Sequence, residues 1–135
     1  LEAMGERTIT LDCDALRADG GTRTAAITAA YVAAYDALRW MQKQRMIQRM
    51  LISEPVAAIS VGIVQGQVLL DLNYDEDSTA MTDMNVVMTE SGEFIEVQGT
   101  AEARPFSAET LGKMLAMAKK GIQQLNQLQR EVLEI

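Results

Sequence analysis

The sequence contains no histidine and only one cysteine, and both scarcities limit the chemistry open to it. Without histidine, the chain cannot build a Ser-His or Cys-His nucleophilic pair from its own residues. Proton transfer would therefore fall to a carboxyl group. With Cys13 alone, no disulfide can form within one chain, so a reducing compartment fits. Its place in the alternating stretch TITLDCDAL predicts a small, inward-facing apolar residue.

Positive charge is also in short supply. The chain carries 12 Lys and Arg residues against 19 Asp and Glu residues, a net charge of -7. Such a chain presents no broad polyanion-binding surface, so any contact with nucleic acid must be local. The sequence has no charged-then-apolar leader and no apolar run of membrane-spanning length, which predicts a cytoplasmic protein without a membrane partner. The start at Leu1, without an initiating Met, predicts a fragment or a processed chain.

Hydrophobic periodicity predicts one α+β domain over residues 1–135. Residues 8–16 alternate between apolar and polar, as a half-buried strand does. Residues 22–47 repeat every three or four positions, which is typical of a helix, and a second helix is predicted from an N-cap at Ser107. Further strands are predicted at 56–64, 68–72, 86–89 and 94–101, with the first two joined as a hairpin. This order predicts helices packed on one face of a mixed or antiparallel sheet.

The turn DGGTRT stands directly before the first predicted helix. The first amides of a helix lack acceptors inside it, so those of Thr22, Arg23 and Thr24 can bind an oxyanion such as phosphate. Two hydroxyls and the forked guanidinium of Arg23 add donors to the same place. The alternative is a glycine-rich turn that only caps a helix. The stretch is neither a Walker loop nor a dinucleotide fingerprint.

An acidic connection, LLDLNYDEDSTAMTDMNVV, follows the predicted hairpin. Asp71-x-Asn73-x-Asp75 resembles the start of an EF-hand loop, but Glu76 and Thr82 stand where that loop needs Gly and Glu. The remaining carboxylates are hard oxygen ligands suited to Mg²⁺ or Mn²⁺ beside a phosphate. A solubilising loop is the alternative. An anion-binding turn and a carboxylate cluster together are what phosphoryl or nucleotidyl transfer needs.

Four basic residues stand near the end of the first predicted helix: Arg39, Lys43, Arg45 and Arg49. One interpretation is a solvated face whose charges favour the helix C-terminus. The other is a local RNA-facing edge, for which binding would weaken as salt rises. The sequence leaves both open.

Three stretches closely resemble the ribonuclease PH family: GERTITLDCDALRADGGTRTAAIT, VAAISVGIVQGQVLLDLNYDEDSTAMTDMNVVMT and EVQGTAEARPFS. The resemblance runs from about Gly5 to Glu134. It implies a ribonuclease PH domain with the ribosomal protein S5 domain 2-like fold, assembled into a hexameric ring as a trimer of dimers. The implied activity is phosphate-dependent 3′–5′ exonuclease trimming of tRNA precursors, with release of nucleoside diphosphates.

The resemblance also implies site residues. In the family, the GGTRT turn binds the inorganic phosphate that is the co-substrate, which corresponds to Gly21, Thr22 and Arg23. The two acidic site residues correspond to Asp77 and Asp83, expected to hold Mg²⁺ and, for one of them, to protonate the departing 3′ oxygen. Asp71 lies outside that pattern and is set aside. Family members also have an N-terminal half that this chain lacks, so a catalytically silent, ring-forming RNA-binding subunit or an inactive fragment is the alternative.

Overall fold

The structure is a computed structural model that describes residues 4–135. It contains a four-stranded sheet, two long helices and one short helix. In chain order these are α1 (Thr22–Lys43), β1 (Val56–Val64), β2 (Gln67–Leu70), α2 (Tyr74–Ser78), β3 (Thr82–Thr89), β4 (Phe94–Ala101) and α3 (Ala108–Leu133). Across the described residues, no helix combines the length and apolar character that crossing a membrane requires.

The sheet has the strand order β2-β1-β3-β4, and each neighbouring pair is antiparallel. The α+β prediction and the β1–β2 hairpin are therefore confirmed, in the antiparallel form. Alternate residues of β1 and β3 form one apolar face, against which α3 packs. The core consists of Ala57, Ile59, Val61, Met84, Val86, Met88, Met114, Ala118 and Ile122. Ser107 caps α3 as predicted, because its side chain accepts a hydrogen bond from the Thr110 amide.

Helix α1 does not share the face covered by α3 but lies along an edge of β1. The Thr28 hydroxyl accepts a hydrogen bond from the Ala58 amide at 3.0 Å and donates to the Ala58 carbonyl at 3.2 Å. Strand β2 reaches only from Val61 to Val64 on this edge, so the backbone groups of Ala58 would otherwise lack partners. At the start of β1, the Gln129 side chain of α3 donates a hydrogen bond to the Val56 carbonyl at 2.9 Å. Side chains of α1 and α3 thus satisfy backbone groups of β1 that strand β2 does not reach.

The predicted N-terminal strand is wrong. Residues 7–15 have no regular secondary structure, and Leu16 is 96 % exposed. Cys13, predicted to face inward, is exposed as well. The alternation is present in the sequence, but a strand forms only when a neighbouring backbone completes its hydrogen bonds, and the β1 edge is already filled. The segment lies instead along the alanine-rich side of α1.

Helix α1 ends earlier than predicted. It stops at Lys43, not near Ile47, because Arg45 adopts a left-handed conformation with φ of 57° that an α-helix does not continue through. The chain folds back, and Ile47 is buried against Leu38 and Met41. The apolar character of Ile47 therefore reflects its burial in the core and not membership of the helix.

Two glycines of α3 should respond oppositely to alanine. At Gly112 an added Cβ would meet no atom within 4 Å, so Gly112→Ala should stabilise the protein by roughly 0.5–1 kcal/mol through helix propensity alone. At Gly121 the Cβ would lie 2.6 Å from Ile59 Cδ1 and 2.9 Å from Leu70 Cδ2, so Gly121→Ala should destabilise it by overpacking. Urea unfolding of both variants measures the difference. Equal changes in the two variants would contradict this packing of α3 on the sheet.

Candidate functional site

Helix α1 begins at a left-handed glycine. Gly21 is its N-cap, with φ of 57° and ψ of 21°, and no side chain caps the helix. The first helical hydrogen bond joins the Ala25 amide to the Gly21 carbonyl at 2.9 Å. The amides of Thr22, Arg23 and Thr24 therefore have no acceptor within the helix. They carry the partial positive charge that favours an oxyanion at this end.

The glycine turn is fastened to the start of the acidic connection. A Cβ added at Gly20 would lie 2.3 Å from the Leu72 carbonyl oxygen, so only glycine allows this approach. On the same segment, the Tyr74 amide donates to Asp19 Oδ1 at 3.1 Å. The Leu72 amide donates to Ser60 Oγ at 3.1 Å, which ties the segment to β1. The two stretches singled out in the sequence are thus in direct contact.

Asp71, which is not part of the family pattern, lies beside the start of α1. Its Oδ1 is 3.8 Å from the position that a Gly21 Cβ would take, and Ser60 Oγ is equally close to that position. Asp71 has a positive φ of 56°, and its amide donates to the Ser60 carbonyl at 2.8 Å. The turn of the backbone at Asp71 directs the chain from β2 towards the glycine turn. Its proximity to Gly21 was not predicted.

Asp77 lies on α2, a helix of five residues within the acidic connection, where no helix was predicted. A capping box starts this helix: the Glu76 amide donates to Asn73 Oδ1 at 2.9 Å, and the Asn73 amide donates to Glu76 Oε2 at 3.1 Å. Glu76 is therefore used to hold the helix, whereas Asp77 is exposed. The N-x-x-E spacing was the signal that could have predicted α2.

Asp83 lies on β3, half-buried and opposite Thr100 of β4. Burial raises the pKa of Asp83 above its ordinary value, and the nearby negative charge of Asp77 raises it further. A smaller contribution comes from Glu102. The structure thus brings the two predicted acidic residues within electrostatic reach of one another, at a place where their charges repel.

The donor set suits a hard divalent cation only in part. Within residues 4–135, no group of three or more His, Cys, Asp or Glu side chains is arranged to hold a metal ion. Mg²⁺ is commonly held by one or two carboxylates together with waters and substrate phosphates, and the Asp77–Asp83 pair fits that pattern. Mn²⁺ accepts the same oxygen ligands.

The sheet face opposite the α3 core carries six polar residues, beside the buried apolar pair Ala58 and Val87. Residues paired across neighbouring strands share a face, so this surface carries Ser60, Asp83, Asn85, Glu96, Gln98 and Thr100. Arg23 reaches across it from α1 and forms a two-pronged ion pair with Glu96, from Nη1 to Oε1 at 2.9 Å and from Nη2 to Oε2 at 2.9 Å. Glu96 was not predicted, and its only sequence signal is the polar alternation of residues 96, 98 and 100.

The basic end of α1 is partly engaged in structure. Arg39 donates to the Leu133 carbonyl at 2.8 Å and to Asp36 Oδ1 at 2.7 Å, so it joins the end of α1 to the end of α3. Lys43, Arg45 and Arg49 are exposed. One of the four cations therefore has a packing role, and the RNA-facing interpretation of the others stays a prediction.

The chain is similar to proteins of one family. Residues 54–121 match the model of the 3′ exoribonuclease family, domain 2. A protein named ribonuclease PH from a Synechococcus species is 58% identical over 135 residues, covering 98% of this chain and 55% of that protein. Its namesake from Corynebacterium kroppenstedtii is 55% identical over 133 residues, covering 98% of this chain and 52% of that protein. The chain thus spans about half the length of these curated relatives.

Solved structures give the same assignment for the fold. The crystal structure of rice (Oryza sativa) Rrp46 superimposes with a TM-score of 0.67 at 19% sequence identity, over 89% of this chain and 51% of that one. The family match covers β1 to the middle of α3, which includes both predicted acidic residues and Glu96. The chain belongs to the 3′ exoribonuclease family and carries its ribonuclease PH C-terminal domain.

Proposed function

We propose that the protein is a phosphate-dependent 3′–5′ exoribonuclease that trims the 3′ ends of tRNA precursors, with residues 1–135 as the C-terminal portion of its ribonuclease PH domain. One observation carries the proposal: the uncapped start of α1, Arg23 and the Asp77–Asp83 pair surround one polar sheet face. Anion donors and carboxylates in one place are what transfer of a phosphoryl or nucleotidyl group requires. Family membership supports the same chemistry.

In the proposed reaction, an oxygen of inorganic phosphate attacks the phosphorus of the last phosphodiester of an RNA with a free 3′ hydroxyl. The new P–O bond makes a nucleoside diphosphate, and the bond between phosphorus and the penultimate 3′ oxygen breaks. Gly21, Thr22 and Arg23 hold the attacking phosphate through backbone amides, a hydroxyl and a guanidinium. The departing 3′ oxygen takes up a proton, so the shortened RNA again ends in a hydroxyl. The reverse reaction adds a nucleotide.

Asp77 and Asp83 have two roles in this proposal. Together they hold Mg²⁺, or Mn²⁺ in its place, which when bound would offset the negative charge that accumulates on the phosphates. One of them supplies the proton to the departing 3′ oxygen, because the chain contains no histidine for that task. The repulsion between the two carboxylates supports both roles, since either a cation or a proton relieves it.

The partners in this proposal are RNA and further copies of the protein. We propose a hexameric ring built as a trimer of dimers, in the cytoplasm and away from membranes. The outer strand supports an assembly, because Phe94, Ile95 and Val97 of β4 are about half exposed at a sheet edge. Exposed apolar side chains on an edge strand are a common place for contact with another chain.

Release of nucleoside diphosphate tests the proposal. The protein is incubated with an RNA bearing a free 3′ hydroxyl and Mg²⁺, with and without inorganic phosphate. We expect release only with phosphate, and a loss of at least about 100-fold in Asp77→Asn, the size typical of removing a proton-transfer group. Asp75→Asn, an exposed carboxylate on the same short helix, is the matched control.

The alternatives give other results. A catalytically silent RNA-binding subunit would bind the RNA without phosphate-dependent release. A plain anion-binding module would bind phosphate equally well in the protein and in Asp77→Asn, and neither form would release nucleoside diphosphate. Release that does not depend on phosphate would contradict phosphorolysis.

A further inference from the structure

We propose that Glu96 is an internal competitor of inorganic phosphate for Arg23, and that it thereby sets the phosphate concentration at which the site fills. This inference rests on the proposed function. The Glu96 carboxylate accepts hydrogen bonds from Nη1 and Nη2 of Arg23, each at 2.9 Å. A guanidinium presents the same fork of donors to a carboxylate and to a phosphate. Phosphate can use these two donors in full only when the carboxylate withdraws.

The position of the pair makes the competition local to the site. Arg23 belongs to the first turn of α1, where the free amides are, and Glu96 lies opposite Val87 in β4. Counting along the paired strands, Glu96 shares its sheet face with Asp83, four residues from Val87 in β3. The ion pair therefore spans the polar face between the start of α1 and the outer strand. An anion bound at the start of α1 would lie near a fixed negative charge.

The pair is open to exchange with a dissolved anion. The side chains of Arg23 and Glu96 are 52% and 36% exposed, so water and ions reach both. An ion pair at this exposure contributes little net stability, and its opening is correspondingly easy. The guanidinium lowers the pKa of Glu96 by hydrogen bonding to its charged form. The competitor is thus an anion at neutral pH, where phosphate also carries negative charge.

Two effects of Glu96 act in the same direction. Its carboxylate occupies the donors of Arg23, and its charge repels an incoming phosphate. Glu96→Gln removes the charge while keeping the length and shape of the side chain. We expect this variant to bind phosphate about three- to tenfold more tightly, in the range that a single partly exposed charge contributes. The Michaelis constant for phosphate should fall with it, while that for RNA stays the same.

Calorimetric titration with inorganic phosphate tests the proposal on four forms of the protein: unaltered, Glu96→Gln, Arg23→Ala and the double variant. Arg23→Ala should weaken phosphate binding by about thirtyfold, through loss of a charged two-pronged donor. In that background Glu96→Gln should have a clearly smaller effect, because the competition for Arg23 is gone and only the charge repulsion is left to remove. Glu93→Gln removes the same charge three residues away, at an exposed position, and should leave phosphate binding unchanged.

The outcomes separate this inference from the proposed function. Tighter binding in Glu96→Gln, absent in Glu93→Gln and smaller when Arg23 is also replaced, supports the competition; an equal gain with and without Arg23 overturns it, since charge repulsion alone would explain that result. Phosphate binding that is lost in Arg23→Ala but unchanged or weaker in Glu96→Gln overturns the inference alone, and assigns Glu96 to positioning Arg23. Absence of phosphate binding in all forms overturns both the inference and the proposed function.

Discussion

Asp83→Asn should lose at least about 100-fold in phosphate-dependent nucleoside diphosphate release, the effect expected for a group that transfers a proton or holds charge in the transition state. The same variant should be slightly more stable than the unaltered protein. Asparagine keeps the shape of the side chain, so the fold around β3 is preserved while the charge is removed. Activity and stability thus move in opposite directions at this residue, as is common where a site is built from unfavourable charges.

The gain in stability follows from the pKa of Asp83. Burial and the charge of Asp77 raise that pKa above its ordinary value of 3.8, so the folded protein holds the proton more tightly than the unfolded chain does. Where the folded state binds more protons, stability falls as pH rises. The unfavourable contribution of Asp83 is therefore fully present above its pKa in the fold. It declines as the pH falls below that folded pKa and is gone below the ordinary value, where both states are protonated.

Thermal unfolding in a metal chelator measures this effect at several pH values. At neutral pH we expect Asp83→Asn to raise Tm by about 2 °C, corresponding to roughly 0.5 kcal/mol once the partial exposure of the carboxylate is taken into account. The gain should shrink as the pH is lowered. Asp75→Asn, at an exposed position of α2, should show no such trend. A variant that is less stable at every pH would contradict a repulsive carboxylate pair.

The long helix α3 and the strands of the sheet could be predicted because their own residues carry the pattern. The run of small and β-branched residues in β1 reflects a strand buried along nearly its whole length, and the Ser107 cap is local to its helix. Strand β3 was predicted only in part, since it begins at Thr82 and not at Val86. The same reasoning failed for residues 8–16, since alternation reports which side chains are apolar and not whether a neighbouring backbone is available. The edge that such a strand would need on β1 is occupied by Thr28. That contact joins residues thirty positions apart.

The candidate site could be predicted only in pieces. The glycine turn and the acidic connection are visible as local motifs, and the structure puts them in contact through Gly20 and Leu72. Glu96 could not be found this way, because its partner Arg23 is 73 positions away and its neighbours predict only a strand. Asp71 was set aside on its spacing, yet the backbone turn there places it beside Gly21. Local motifs identify donors and acceptors, but the pairing between them depends on the fold.

The contact that joins the two halves of the site predicts a large loss of stability for Gly20→Ala. Gly20 has a φ of 77°, which alone disfavours an alanine by about 1–2 kcal/mol. Its Cβ would also lie 2.3 Å from the Leu72 carbonyl oxygen and 2.9 Å from the Asn73 carbonyl carbon. These are backbone atoms, and Leu72 is only 2% exposed, so neither can move without shifting the start of α2. We expect a total loss of more than about 3 kcal/mol.

Gly66→Ala is the matched control for the backbone angle. Gly66 has a φ of 80°, and no atom lies within 4 Å of the position its Cβ would take. Its substitution should therefore show the conformational effect alone, about 1–2 kcal/mol in urea unfolding. The difference between the two variants isolates the close approach of the glycine turn to residues 72 and 73. A Gly20→Ala protein that cannot be recovered folded, beside a folded Gly66→Ala protein, would show the same difference. Equal losses in both would mean that the turn can separate from the acidic connection, and that the anion donors and Asp77 are not held in one site.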